Sequence, residues 1–189
     1  MEISTESVKV GHPDLVADII AANVIAAILD KEKKEKQGLN LANMPHCGLE
    51  VFLGKGICLV GGEVRTRVNV DIDKIARESV LELGYNHASV GLNGHSMGVL
   101  NAIIPQSPDI NQGTSCLLNK KGEIGAGDQG IMYGFACDDT PELLPMPYVL
   151  ANKLMRAFEY CQDPIFAPDG KGQVSVDYDL KTGKPVRVV

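Results

Sequence analysis

Two short segments contain the residues best suited to chemistry. Near the start, Gly11-His12-Pro13-Asp14 combines a proton donor with a carboxylate that could bind a metal ion. In the middle, Gly125-Ala126-Gly127-Asp128-Gln129-Gly130 places a second carboxylate within flexible backbone. Backbone amides, a proton donor and a metal-binding carboxylate suit the phosphates of a nucleotide. The two segments therefore predict enzyme chemistry on a nucleoside triphosphate.

The glycine-rich segment also satisfies the G-x-G-x-x-G pattern of dinucleotide-binding proteins, which requires a strand before it and a helix after it. Here polar residues 120–123 precede it and a β-like run, residues 131–135, follows. This context argues against a nicotinamide or flavin site. A structural turn stays open as an alternative, but Asp128 favours a ligand loop, because an acid among glycines can hold an ammonium or a ribose.

His12 and Asp14 precede an apolar periodic stretch, so both lie at the start of a predicted helix. A lone histidine there is usually a helix-entry residue with a satisfied hydrogen bond. Beside the positive helix start and Asp14, however, it could meet an oxygen that gains charge as a bond to phosphate-bearing carbon breaks. Asp14 could merely cap the helix, yet one carboxylate plus phosphate oxygens is how proteins usually hold Mg²⁺. We interpret Asp14 as a magnesium ligand.

Three other positions stay open on chemistry alone. Glu63 ends Gly61-Gly62-Glu63 between two strand-like runs, and Glu50 lies within a strand-like run, where a surface glutamate is commonplace. Lys171 follows Pro168-Asp169-Gly170 at a strand start and could be ordinary or could neutralise phosphate as a point charge.

A polar segment lies between the two glycine-containing motifs. It carries proline and glycine and follows neither helical nor strand periodicity, which is typical of a functional loop. The loop is predicted to consist of Gln106, Ser107, Pro108, Asp109, Ile110, Asn111, Gln112 and Gly113.

The composition excludes several classes of protein. With 189 residues, 44% of them hydrophobic and 22% charged, the chain can form one domain or two small ones. Its net charge of -6 argues against a general nucleic-acid or anionic-membrane surface. Five widely spaced cysteines without a C-x-x-C pair suggest neither a disulfide framework nor a zinc site. No signal peptide or membrane span is recognisable, so we expect a cytoplasmic protein.

Hydrophobic periodicity predicts a mixture of helices and sheet. A helix begins at Pro13, runs through the apolar residues to position 29 and ends in the charged run 31–36. Strands at 49–53 and 57–60 and alternation over 64–70 predict an antiparallel sheet with one wet face. Two further helices are predicted, at 73–83 and from 147 to about 162. The inward residues of the last helix should be Leu150, Leu154, Ala157, Phe158 and Cys161.

The final segment predicts a hairpin. Val174, Val176 and Tyr178 alternate with polar residues, and a turn at 181–184 leads into a partner strand, 185–189. A hairpin in this position would leave a sheet edge unpaired. We therefore expect the sequence to be part of something longer or to pair with another chain. The predicted fold class is α+β.

Several motifs in order resemble the S-adenosylmethionine synthetase (methionine adenosyltransferase) family, over essentially the whole chain. They are Glu6-Ser7-Val8 with Gly11-His12-Pro13-Asp14, Val60-Gly61-Gly62-Glu63-Val64, residues 106–113 and residues 125–130. The resemblance implies three similar β-α-β units around a pseudo-threefold axis, with sheets covered by helices and the sequence crossing between units. In this chain the fold would be incomplete. We expect a first unit at 1–115, with a substrate loop at about 105–116, and part of a second at 116–189.

The resemblance also implies a reaction in which the sulfur of L-methionine attacks the ribose 5′ carbon of ATP. The expelled triphosphate is then hydrolysed to phosphate and diphosphate. By resemblance, His12 and Lys171 are catalytic, Asp169 and Gly170 join them in binding ATP, and Asp14 binds Mg²⁺. Glu50 would bind K⁺. Methionine would be bound by Glu63, Gln106 and Asp128, with the 106–113 loop closing over both substrates.

Two departures from the family pattern bear on activity. Leu15 stands where the family usually has lysine, and Ile19-Ile20-Ala21-Ala22-Asn23 replaces a Gln-Ile-Ser-Asp-Ala stretch. Family chains also continue past position 189 into further phosphate-binding, metal-binding and adenine-stacking residues. We therefore expect this chain alone to be inactive. It would act in a homodimer or a dimer of dimers, with the missing half in cis or in trans. The alternative is a degenerate, non-catalytic subunit that binds a partner.

Overall fold

Six strands and three α-helices are found in the described residues (1–35, 44–107, 129–161, 163 and 165–189) of this computed structural model. They fall into two compact units. Unit 1 comprises Met1–His12 and Met132–Val189, and unit 2 comprises Pro13–Ile131. In chain order the elements are β1 (Glu2–Val8), α1 (Pro13–Glu35), β2 (His46–Gly54), β3 (Ile57–Arg65), α2 (Ile72–Glu82), β4 (Gly98–Pro105), α3 (Met146–Tyr160), β5 (Lys171–Tyr178) and β6 (Pro185–Val188).

Unit 2 is a three-stranded sheet, in the order β2-β3-β4, with α1 and α2 against one face. The β2–β3 pair is antiparallel and the β3–β4 pair is parallel. Helix α1 starts with Pro13 and an acidic residue in its first turn, as the dipole favours. Every fourth residue of α1 is buried, which gives the stripe that contacts the sheet: Val16, Ile20, Val24, Ile28 and Glu32.

The last residue of that stripe, Glu32, is a fully buried carboxylate. It accepts hydrogen bonds from the Thr66 hydroxyl at 2.9 Å, the Arg67 amide at 2.6 Å and Arg67 Nε at 2.8 Å. Burial alone would raise the pKa of Glu32, but the bonds from Arg67 and Thr66 outweigh it and leave that pKa below its usual value. Glu32 therefore joins the end of α1 to the segment after β3.

Unit 1 is a sheet in the order β1-β5-β6, antiparallel throughout, with α3 packed on β1 and β5. Its core contains Val149, Ala151, Met155, Val176 and Tyr178. The Tyr178 hydroxyl donates a 2.6 Å hydrogen bond to Asp139 Oδ2. Burial, aided by the Asp139 carboxylate, raises the pKa of Tyr178 to about 12.

The structure confirms the α+β class and most of the predicted elements. Helices α1 and α2, the β2–β3 hairpin and the β5–β6 hairpin all lie within a few residues of the predicted positions. Neither β1 nor β4 was predicted. The proposed division at position 115 stays a prediction; β1 belongs to unit 1 although α1, which follows it in sequence, belongs to unit 2.

The predicted strand at 64–70 is wrong beyond Arg65, where β3 ends. The sheet is also not antiparallel throughout, because β4 pairs with the other edge of β3 in parallel. The strand ends at Arg65 because the Arg67 amide donates its hydrogen bond to the Glu32 carboxylate instead of to a neighbouring strand. The alternation is still used, since Val68 and Val70 pack on the core of unit 2.

The predicted inward face of the last helix is also wrong in part. Leu154 is 39% exposed, and Ala157 and Cys161 are exposed. The buried residues of α3 are Pro147, Val149, Ala151 and Met155. The helix turns this face to β5 because Gly172 leaves room for it: a Cβ there would lie 2.4 Å from Met155 Cε.

Candidate functional site

In unit 1 the turn that carries His12 lies directly against residues 167–171. The His12 amide donates a 2.9 Å hydrogen bond to Lys9 O, which closes the turn. Gly11 makes the close approach to the second segment, because a Cβ there would lie only 2.3 Å from Pro168 O. The His12 turn and residues 167–171, which were predicted separately to bind ATP, therefore contact each other through their backbones.

Lys171, the predicted phosphate-binding cation, is the first residue of β5 and pairs in register with Val8. Its Nζ lies 2.5 Å from Glu6 Oε2, and both side chains are about half exposed. An exposed pair of this kind contributes little to stability, so an anionic ligand could compete for the lysine at small cost. Sequence reasoning used Glu6 only as part of a motif and missed this pairing.

Lys9 was missed altogether. It is only 9% exposed, and its Nζ donates a 2.7 Å hydrogen bond to Ala167 O. Its amide donates to Gly170 O at 2.8 Å. The available signal was a lysine between Val8 and Val10 at the end of a strand, since a charged residue in that setting is rarely buried without a partner.

In unit 2, three predicted residues share the face of the sheet that is turned away from the helices. Glu50 alternates with the core-facing Leu49 and Val51, and Glu63 is one residue before Val64, which packs on the core. The register pairs Glu63 with Gly48 and with Ile104, two positions before Gln106. Diagonal neighbours in a sheet are about 7–8 Å apart. Strand register therefore brings Glu50, Glu63 and Gln106 into one row.

Gly62 and Gln106 show how this row is held. Gly62 has a φ of 117°, and a Cβ there would lie 2.0 Å from Gly48 O, so only glycine fits beside Glu63. The Gln106 amide donates to Val64 O at 3.1 Å. Gln106 Oε1 is buried and has no hydrogen-bond partner among the described residues. A buried acceptor without a partner costs about 1–3 kcal/mol, and a donor group that bonded to it would remove that cost.

Asp14, the second residue of α1, is exposed and belongs to unit 2, whereas His12 ends the first segment of unit 1. No group of three or more histidine, cysteine, aspartate or glutamate side chains that could hold a metal ion occurs in the part of the chain that the structure describes. The assignments of Asp14 to Mg²⁺ and of Glu50 to K⁺ therefore stay predictions; a lone carboxylate such as Asp14 would hold Mg²⁺ only together with phosphate oxygens and water.

Part of the predicted site lies outside the described residues. This holds for residues 108–113 of the substrate loop and for Asp128. Within the described residues, no helix is long and apolar enough to cross a membrane.

Comparison with known proteins identifies the family. The model of the S-adenosylmethionine synthetase N-terminal domain matches residues 1–108, and that of the central domain matches residues 123–189. The chain belongs to the S-adenosylmethionine synthetase family. The resemblance carried by the His12, Glu63 and Gln106 motifs is thereby confirmed.

Individual members of the family match over almost all of this chain. The S-adenosylmethionine synthase of Sulfurovum sp. is 41% identical over 189 residues, which cover 98% of this chain and 45% of that protein. Those of Helicobacter hepaticus and Helicobacter pylori (strain J99) are 40% and 42% identical, with the same coverage. The chain spans about half the length of these relatives.

Proposed function

We propose that this chain supplies the amino-terminal part of a methionine adenosyltransferase, which forms S-adenosylmethionine from ATP and L-methionine with release of phosphate and diphosphate. Family membership gives the reaction class. The observation that carries the proposal for this chain is the meeting of the His12 turn with residues 167–171 in unit 1. That meeting places an imidazole-bearing turn and a half-exposed lysine in one compact unit.

The proposed chemistry needs no general base. The methionine sulfur has no proton to lose, and it attacks the 5′ carbon as the carbon–oxygen bond breaks and the triphosphate leaves with the electron pair. Catalysis then depends on placing the reactants and on stabilising charge on the leaving oxygen. His12 and Lys171 would supply that charge, with Asp169 and Gly170 as further ATP contacts. Lys171 would exchange Glu6 for a phosphate oxygen.

Methionine would be bound by unit 2. The Glu63 carboxylate suits the ammonium group of the amino acid, and the buried Gln106 Oε1, which has no partner among the described residues, offers a further acceptor. Asp128 is proposed as a further methionine contact. The 106–113 segment is proposed to close over the substrates, so that water is excluded during the displacement.

Two ions belong to the proposal. Asp14 would hold Mg²⁺ and Glu50 would hold K⁺. When bound, the magnesium ion supplies positive charge to the triphosphate, beyond what this chain's own cations give.

The proposed assembly is a homodimer or a dimer of dimers in the cytoplasm. The sheet face that carries Glu50 and Glu63 also exposes Phe52 (62%), Leu100 (53%) and Ile104 (56%). Exposed apolar side chains among functional carboxylates favour a partner surface there. Because the chain covers 45% of its relatives, the remaining site residues would come from a segment equivalent to their other part.

The direct test combines this chain with a polypeptide equivalent to the remaining part of its relatives. ATP, methionine, Mg²⁺ and K⁺ are added, and sulfonium product is measured by mass spectrometry. We expect product from the combination and none from either piece alone. A complex that assembles but forms no product would contradict the proposal and support the alternative, a non-catalytic subunit.

A further inference from the structure

Lys9 is a buried cation that the proposed chemistry does not use. Only 9% of it is exposed, and it comes directly after β1 in unit 1. Burying a long charged side chain costs conformational entropy and solvation, so such a residue usually has a partner that repays the cost. Here the partner is a backbone carbonyl, Ala167 O, at 2.7 Å from Nζ.

The contacts of Lys9 connect both segments of the proposed ATP site. Its amide donates to Gly170 O at 2.8 Å, which extends the β1–β5 ladder by one residue, and its own carbonyl accepts from the His12 amide at 2.9 Å. Its stem lies over Gly170, where a Cβ would come within 2.5 Å of Lys9 Cδ. One residue therefore contacts the start and the end of the 167–170 segment and also the turn that carries His12.

We infer that Lys9 is a positioning residue for the nucleotide: it holds residues 167–170 against the His12 turn, so that His12 and Lys171 face the same polyphosphate. The inference rests on the proposed function. Lys9 acts through the segment rather than by touching the ligand, because the hydrogen bond that fixes its ammonium is to Ala167 O. A hydrogen bond from a charged donor is stronger than a neutral one and so restrains the segment better.

The test substitution is K9M, which keeps an unbranched stem of similar length and removes the donor. The matched control is K181M, an exposed lysine in the β5–β6 turn of the same unit. Both substitutions are made in this chain after its assembly with the polypeptide equivalent to the remaining part of its relatives. We expect K9M to raise the ATP KM on the order of tenfold, the size of one lost charged hydrogen bond. The methionine KM should stay unchanged, and K181M should resemble the unsubstituted protein.

A second readout does not depend on activity. Amide hydrogen exchange in the peptide spanning residues 165–172 should be faster in K9M than in K181M, while the other peptides of unit 1 keep their rates. Should K9M fail to fold, K9Q, which retains a neutral donor on a shorter stem, should show the same two changes to a smaller degree.

The outcomes separate the alternatives. Unchanged exchange with a raised ATP KM would mean that Lys9 touches the nucleotide itself, and would overturn the positioning role. If K9M changes neither hydrogen exchange nor the ATP KM, Lys9 only packs against its neighbours and the positioning role is wrong. If the unsubstituted assembly makes no product, the proposed function fails, and hydrogen exchange alone then decides whether Lys9 holds the segment.

Discussion

The two units of this chain differ in the groups they offer to a ligand and in the contacts that position those groups. Unit 1 offers an imidazole and a lysine, on segments about 158 positions apart in sequence that meet through Lys9 and Gly11. Unit 2 offers a row of carboxylate and amide oxygens, ordered by the register of neighbouring strands. The difference matches the proposed substrates, since a triphosphate needs positive charge and an ammonium needs acceptors.

The largest effect on the unit 1 side of this comparison should come from H12A. In the assembled protein we expect kcat to fall on the order of 10²–10³-fold, as when one group that stabilises transition-state charge is removed. ATP binding should weaken far less. H95A, which removes an exposed histidine in unit 2, is the control. Equal losses in kcat and in nucleotide affinity, measured by steady-state kinetics and calorimetry, would contradict the role of His12.

In unit 2, we expect the largest loss of stability from breaking the ion pair between the buried Glu32 and Arg67 rather than from changing the predicted site residues. R67M removes the cation beside the buried Glu32, and we expect it to lower the free energy of unfolding by about 3 kcal/mol. K74M breaks an exposed i,i+4 pair with Glu78 and should cost little. Urea unfolding followed by circular dichroism measures both. Similar small losses would show that Glu32 is not held as the structure has it.

The same pair gives a pH dependence. Because the pKa of Glu32 is lowered in the folded state, its contribution is fully present above the pKa of an unfolded glutamate, about 4.3. It is lost as pH falls from there through the folded pKa. Stability should therefore drop below about pH 4–5 in the unsubstituted chain. R67M should show a weaker drop over the same range.

The close contact at Gly11 in unit 1 should also be sensitive to substitution. In G11A the new Cβ would meet Pro168 O, a backbone atom that cannot swing aside. We expect a loss of about 1–3 kcal/mol in stability, as for other overpacked sites, together with a raised ATP KM. G134A, whose Cβ would contact nothing within 4 Å, is the control in the same unit. If the methionine KM rose as much as the ATP KM, the proposal that unit 1 binds ATP and unit 2 binds methionine would be contradicted.

Sequence patterns could predict what is local. The β2–β3 hairpin follows from its turn glycines, and α1 from the helical spacing of its apolar residues. Lys9 and Glu6 could not be placed, because their partners, Ala167 and Lys171, lie far along the chain and no periodicity connects them. The segment after β3 alternates like a strand, yet a buried glutamate from α1 takes its backbone amide. Such competition between a ladder and a side chain is decided only by the tertiary fold.

The residues of the site follow the same division. The motif that contains His12 was recognised because it combines a proton donor with a carboxylate at a predicted helix start. Glu50 and Glu63 had no local signal beyond their charge, and they were assigned through family resemblance. Their common face becomes visible only through the register of β2 with β3. Residue types thus indicate which chemistry is possible. Which residues lie close together is known only once the pairing of distant strands is known.

The smallest expected effect sharpens the comparison most, because stability and binding should move in opposite directions. Q106L removes the buried Oε1 acceptor that has no partner among the described residues. The free energy of unfolding should rise by about 1 kcal/mol, since that acceptor is costly to bury, while the methionine KM in the assembled protein rises about tenfold. Q173L, at an exposed glutamine of β5, should change neither. A stability loss in Q106L would mean that Gln106 is a structural residue, because a group reserved for a ligand weakens the free protein and strengthens only the bound one.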